Sequence, residues 1–206
     1  MKILIRAIAV SAALLLLCGV IFPLGMTGIS RLIFPKQAGG SMVEYNGAKV
    51  GSVLLGQNFT DPRFFHGRVS AYNYNTYKKE DTIPDKEGKT AYAGVSSGSA
   101  NLAPSNPALV ERVQKDMEEF LKTHPGVKRE DIPTDLLTSS GSGLDPHISP
   151  EAAKIQIPAI AKATGISTTD LEEMVRKNTE GRQWGVFGES RVNVLLVNME
   201  IAKRLK

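Results

Sequence analysis

Cysteine is almost missing from this chain: a single residue, Cys18, in 206. No disulfide can close within the chain and no cysteine-based metal site can be built. Histidine is nearly as scarce. His66, His124 and His147 lie far apart, with no ligand-spaced pair on a helix, which argues against a metal site. An excess of charge of one sign is missing too, with 25 Lys and Arg set against 21 Asp and Glu. Two of those basic residues, Lys2 and Arg6, precede the rest of the molecule, and elsewhere the signs are mixed, as in Lys78-Lys79-Glu80-Asp81. Nucleic-acid binders concentrate basic residues on one face, so the pattern counts against a nucleic-acid partner.

Charge is wholly absent from one stretch, Ala7 to Ser30, AIAVSAALLLLCGVIFPLGMTGIS. At ~1.5 Å per residue it is long enough to cross the roughly 30 Å hydrocarbon core of a bilayer, which takes about 20 apolar residues. A cleaved secretory signal and a buried soluble helix are the competing readings. A signal should end in a small-x-small site, yet Ile21-Phe22-Pro23-Leu24 is bulky, and Leu17 before Cys18 does not suit a lipoprotein signal. The expectation is an uncleaved anchor in a lipid bilayer, loosened near its far end by Pro23, Gly25 and Gly28. Lys2 and Arg6 flank one side, Arg31 and Lys36 the other, so the charge bias is slight. The very short N-terminal tail favours a cytoplasmic N-terminus with the domain outside.

The expected fold is α+β: residues 1–30 as tail and single transmembrane helix, residues 31–206 as one globular domain. Phe34 to Gly40 reads as a linker, and Asn46-Gly47 between Met42-Tyr45 and Ala48-Val50 as a β-hairpin turn. Val53-Leu54-Leu55 is expected to be a short buried strand. From Asp61 to Ala100 periodicity fades into a long, tyrosine-rich loop, a length usually associated with function or mobility. Asn106-Pro107 opens an amphipathic helix with Leu109, Val110, Val113, Met117, Phe120 and Leu121 on one face, ending near His124-Pro125-Gly126. Ser149-Pro150 opens a second helix, which Pro158 should kink or shorten. Ser167 opens a third, ending at Gly181. The run Val192 to Val197 suits a strand by composition, but its continuation to Leu205 favours a helix.

Several constellations suggest chemistry. Ser96-Ser97-Gly98-Ser99 and Ser139-Ser140-Gly141-Ser142 echo one another, and each precedes a helix-starting proline at the same spacing. Such a loop can present amides to an anion, or it can simply be a turn used twice. Gly88-Lys89-Thr90 has the ending of a phosphate-binding loop but Ile83 stands where its first glycine belongs. Ser140, Ser142, Asp145 and His147 hold the residue types of a hydrolase triad, and a membrane-anchored surface hydrolase is the alternative reading for this chain. The nucleophile elbow, however, needs Gly-x-Ser-x-Gly, and Ser140 occupies the first glycine position. A turn braced by Asp145 and His147 at the next helix start is the simpler expectation. Gln57 and Asn58 follow an apolar run and could contact a partner or a nucleotide, or cap a turn. A free-standing ligand-binding module is the third class to weigh.

Longer strings then match a known family: Phe34-Pro35-Lys36-Gln37-Ala38, Gly51 to Gln57, Asn101 to Pro107, Ser140 to Ala153 and Gly188 to Leu195. Together with the anchor they resemble the C subunit, KdpC, of the Kdp-type potassium-transporting P-type ATPase. Val69, Ala103 and Ser190 depart from the family pattern at local turns. The resemblance implies a non-catalytic subunit of an ATP-driven K⁺ importer. Its implied partners are a channel-like K⁺-binding subunit, a P-type ATP-hydrolysing subunit and a very small membrane peptide. It also implies a catalytic chaperone that raises the hydrolysing subunit's affinity for ATP, a ligand the two would share, through a glutamine corresponding to Gln57. The candidate nucleotide or partner contacts are thus Gln57, Asn58, Ser140, Ser142, Asp145 and His147, with no intrinsic cofactor.

Overall fold

The computed structural model describes residues 1–92 and 94–205. By internal contacts the chain falls into two compact units, Met1–Ser52 and Val53–Lys206. The fold is α+β, with a single long apolar helix at the N-terminus followed by helices and short antiparallel strands.

In the first unit, α1 (Lys2–Leu16), a π-helical segment (Leu17–Ile21) and α2 (Phe22–Ile33) run on as one helix of 32 residues. None of its side chains is buried in the protein, and at 1.5 Å per residue it measures about 48 Å, more than a bilayer's hydrocarbon core needs. Pro23 does not interrupt it. Proline cannot donate to the carbonyl one turn back, and the wider π turn just before it, closed by the Phe22 amide on the Leu17 carbonyl, absorbs that defect. The linker expected over 34–40 contains a helical turn, α3 (Pro35–Ala38), because proline at a first helical position is already set for it. β1 (Met42–Tyr45) and β2 (Ala48–Ser52) then pair antiparallel across Asn46-Gly47, as the turn dipeptide predicts.

The second unit opens with a correction. Val53-Leu54-Leu55 forms a turn, with Leu54 and Leu55 62% and 52% exposed, because the Val53 carbonyl is taken by the Asn193 side chain, through Nδ2, rather than by a neighbouring strand. The 61–100 segment is a loop held by short 3₁₀ turns at Asn73–Asn75 and Lys79–Thr82. α4 (Pro107–Thr123) begins at Asn106, whose side chain accepts the Ala108 amide. Val113, Met117, Phe120 and Leu121 lean on the core, whereas Val110 is exposed. A short helix, α5 (Thr134–Leu137), leads to β3 (His147–Ile148) and α6 (Pro150–Thr164).

Pro158 neither shortens nor ends α6: it and Lys154, whose carbonyl loses its donor, both lie on the exposed face, open to solvent. α7 (Thr168–Lys177) is capped by Ser167 and ends ahead of Gly181, because the Asn178 side chain donates back to the Met174 carbonyl. β4 (Thr179–Glu180) and β5 (Arg191–Asn193) complete a sheet in the order β3-β5-β4, and β5 runs straight into α8 (Val194–Arg204). The strand and helix tendencies of 192–205 are thus both realised, switching at Asn193, whose side chain accepts the Leu196 amide. Ala152, Ile157 and Ile160 of α6, Leu171 of α7, Val192 of β5 and Val197 and Ile201 of α8 form the core around fully buried Phe65.

Candidate functional site

Beside the edge strand β3 lies a polar cavity of about 340 Å³ lined by Arg68, Asp135, Asp145, His147, Ile148, Ser149, Glu189, Ser190 and Arg191. Three separate segments build it. β3 pairs with β5, His147 opposite Asn193, which fixes the imidazole at the sheet edge. Asp145 closes a tight turn ahead of it, with Oδ1 accepting the His147 amide at 3.0 Å and lying 3.2 Å from Nδ1 of the same ring. Arg68 comes from the long loop and reaches Asp145 Oδ2 at 3.4 Å. Burial opposes ionisation of Asp145, but hydrogen bonds from the His147 side chain and backbone, with the charges of His147 and Arg68, outweigh it. Its carboxyl is therefore held below the usual carboxylate range.

A wedge fixes Arg68 in turn. The Tyr74 hydroxyl donates to the Arg68 carbonyl at 2.8 Å, and the Tyr74 amide donates to Ser70 Oγ, which itself donates to the Gly143 carbonyl at 2.6 Å. Burial, and then the nearby charge of Asp145, push the Tyr74 phenol up to about 12. Gly56 makes this wedge possible: a Cβ there would strike both the Tyr74 ring and the Asp145 carbonyl. Within the wedge Arg68 Nε is buried and has no hydrogen-bond partner among the described residues. A buried N–H without an acceptor is uncommon and calls for an explanation.

The six residues singled out from the sequence do not share one pocket. Asp145 and His147 line the cavity. Ser140 and Ser142 lie in the adjoining turn and bind its backbone, Ser140 Oγ accepting the Gly143 amide at 2.9 Å and Ser142 Oγ the Leu144 amide at 3.1 Å. Gln57 follows Gly56 behind the Asp145 backbone, and Asn58 is exposed, donating to Asn73 Oδ1 at 2.6 Å. The expected brace of the α6 start also comes from elsewhere: Asp135 Oδ2 and Oδ1 accept the Ser149 amide at 2.7 Å and its hydroxyl at 3.1 Å. A carboxylate therefore already occupies that helix N-terminus.

The two echoing Ser/Gly loops meet each other, the Gly98 amide and the Ser97 hydroxyl both donating to the Ser142 carbonyl at 2.7 and 3.0 Å. Gly88-Lys89-Thr90 sits in a turn whose amides at Glu87 and Lys89 donate to Asp85. Arg68, Asp135, Glu189 and Arg191 were not foreseen as site residues. Only Glu189 and Arg191 carry a sequence signal, lying in the Gly188-to-Leu195 string; Arg68 and Asp135 reach the cavity from segments without local pattern. No group of His, Cys, Asp and Glu suited to a metal ion occurs among the described residues.

The arrangement is a mixed-charge recess in which a cation and an imidazole both reach one carboxylate. It can accept a hydrogen-bonding group from outside the chain more readily than it can activate a nucleophile. Comparison with known proteins adds the family. Residues 4–203 match the family model described as KdpC: K⁺-transporting ATPase, c chain. The potassium-transporting ATPase KdpC subunit of Clostridioides difficile is 63% identical over 205 residues, covering 100% of this chain and 99% of that protein. That of Clostridium kluyveri is 60% identical over 196 residues, covering 95% and 91%, and that of Caldanaerobacter subterraneus is 46% identical over 201 residues, covering 98% and 95%. A match spanning both the apolar helix and the domain, at this identity, places the chain in the KdpC family, the c chain of K⁺-transporting ATPases.

Proposed function

We propose that this chain is a non-catalytic, single-pass subunit of an ATP-driven K⁺ import complex, held in the membrane by Lys2–Ile33 with its folded region outside. The observation that carries this reading is the match over residues 4–203, which takes in the long apolar helix as well as the domain. In this reading the domain braces the channel-like K⁺-binding subunit near its entrance. The ATP-hydrolysing subunit and the small membrane peptide complete the assembly. ATP belongs to the hydrolysing subunit, and any rise in its affinity passes through the membrane subunits, as a catalytic chaperone acting at a distance. This fits the lining of the cavity, which takes in His147 but neither Gln57 nor Ser142.

Accessibility and co-purification test it together. Cys18 is the only thiol, so Lys86→Cys in a Cys18→Ser background places one reactive group on an exposed loop. A membrane-impermeant maleimide should label it in intact spheroplasts. Labelling confined to inside-out vesicles would overturn the outside placement. Purification of the wild-type chain in mild detergent should bring large polytopic partners with it; recovery of the chain alone would overturn its role as a subunit.

A further inference from the structure

Between β4 and β5 the chain leaves the sheet and returns through residues 181–190, every one of them exposed. At the tip Gln183 and Phe187 exchange backbone hydrogen bonds of 2.8 and 3.0 Å, and the Val186 amide also donates to the Gln183 carbonyl. The enclosed residues are Trp184, Gly185 and Val186. Trp184, Val186 and Phe187 are 84%, 69% and 61% exposed, and the Trp184 ring lies edge-on to that of Phe187 at 6.1 Å.

The backbone makes this arrangement costly. Trp184 has φ +54° and Gly185 φ +77°, the two left-handed residues that mark a type I′ turn. The same chain makes such a turn elsewhere, with Asn46 at +51° and Gly47 at +77°. Asparagine tolerates the left-handed region, and among the described residues four of the seven non-glycine residues at positive φ are asparagine. Tryptophan does not suit it. Tyr74, also left-handed, is explained by its wedge beneath Arg68, whereas Trp184 contributes no buried contact to this chain. An expensive backbone carrying an exposed indole points outward for its explanation.

We infer that the 183–187 loop is a docking finger that seats Trp184 and Phe187 in an apolar socket on a partner subunit of the transporter; this rests on the reading of the chain as a subunit. The flanking charge favours a protein over a bilayer surface. The base of the finger is clasped by Arg191 and Glu180 at 2.7 Å, while Arg182 and Glu189 form no ion pair among the described residues. One free cation and one free anion beside an aromatic tip match a socket with a rim of both signs, and the acid at 189 disfavours anionic headgroups. A turn with both tip residues fixed presents the indole to a preformed pocket, the setting in which tryptophan anchors dominate protein interfaces.

Trp184→Asn separates binding from folding, because it restores the asparagine-glycine pair that the other hairpin uses. Tested in the full-length chain co-expressed with its complex, the variant should remain membrane-embedded, with a Tm equal to or above that of the wild type. Recovery of the partners should fall about 30-fold, the loss typical of a hot-spot aromatic. Trp184→Phe should restore most of the recovery. Because Trp184 is the only tryptophan, its fluorescence in the chain alone, reconstituted in phosphatidylcholine vesicles carrying brominated acyl chains, should be quenched by acrylamide and not by bromine. Undiminished partner recovery, a lowered Tm, or strong bromine quenching would each overturn the proposal, the last by naming lipid as the occupant. If the wild-type chain brings down no partner, the subunit reading itself fails; if wild type and Trp184→Asn bring it down equally, only the finger fails.

Discussion

Truncating Asn198 should damage this fold more than most core deletions. Asn198 lies on α8 and is 2% exposed. Its Oδ1 accepts the Phe65 amide at 2.8 Å and its Nδ2 donates to the Phe65 carbonyl at 2.9 Å, so one side chain satisfies both backbone groups of a residue that is itself fully buried. Asn198→Ala would leave both groups buried without partners. At about 1–3 kcal/mol for each orphaned group, the loss is roughly 2–6 kcal/mol, set against a total stability of about 5–15 kcal/mol. For a folded unit of this size that corresponds to roughly 2–4 °C of Tm per kcal/mol, or about 4–24 °C in all. Asn198→Leu removes the same bonds while filling the space, so it should fall in the same range; a mild Leu beside a severe Ala would assign the cost to the cavity instead. Thermal unfolding of the detergent-solubilised chain, followed by circular dichroism, measures the first quantity, and hydrogen exchange at the Phe65 amide measures the second. A loss below about 1 kcal/mol with unchanged exchange would refute the reasoning, since it would mean that water reaches Phe65 without Asn198.

Two further outcomes follow from the same structure. Gly56→Ala should cost about 1–3 kcal/mol as an overpacked contact, since the new methyl meets the Asp145 backbone and the Tyr74 ring, and the Tm of the solubilised chain reads it directly. Stability should also fall as pH drops below about 6.5, the ordinary histidine value. Burial lowers the proton affinity of both His66 and His124, whose rings lie 6.1 Å apart, so the unfolded chain binds more protons there than the folded one and acid favours unfolding. Asp61 pulls the other way on His66, but Arg63 holds its carboxyl down to about 2, so that influence is constant across the window. His124→Gln, which cannot titrate, should flatten the Tm-against-pH curve between 7 and 5 even where it lowers Tm at neutral pH.

What was readable in the sequence was whatever the chain settles within a few residues. Asn106, Ser149 and Ser167 each accept an amide two or three positions on, so three helix starts announce themselves locally. Asn46-Gly47 does the same for the hairpin. The long loop carries no such signal, because its anchors are amide side chains many residues away in sequence. Asn75 bonds both the amide and the carbonyl of Ser96, Gln156 of α6 grips His66 through its amide and carbonyl, and Asn198 grips Phe65. Each stands in for the neighbouring strand that the loop lacks, and no periodicity records it. The cavity suffers in the same way. Asp145 and His147 are two residues apart and were foreseen, while Arg68 and Asp135, which set its charge and brace its helix, are distant in sequence. Val53-Leu54-Leu55 was misread, and Pro158 leaves α6 unshortened, for a related reason, since whether a proline ends a helix, or an apolar triplet makes a strand, depends on what lies across from it. Trp184 differs from all of these. Knowing its surroundings explains Asn198, but for Trp184 it deepens the difficulty, because no described residue covers the indole that its backbone is strained to present. When a local rule is broken and the fold supplies no compensation, the compensation is to be sought in another molecule.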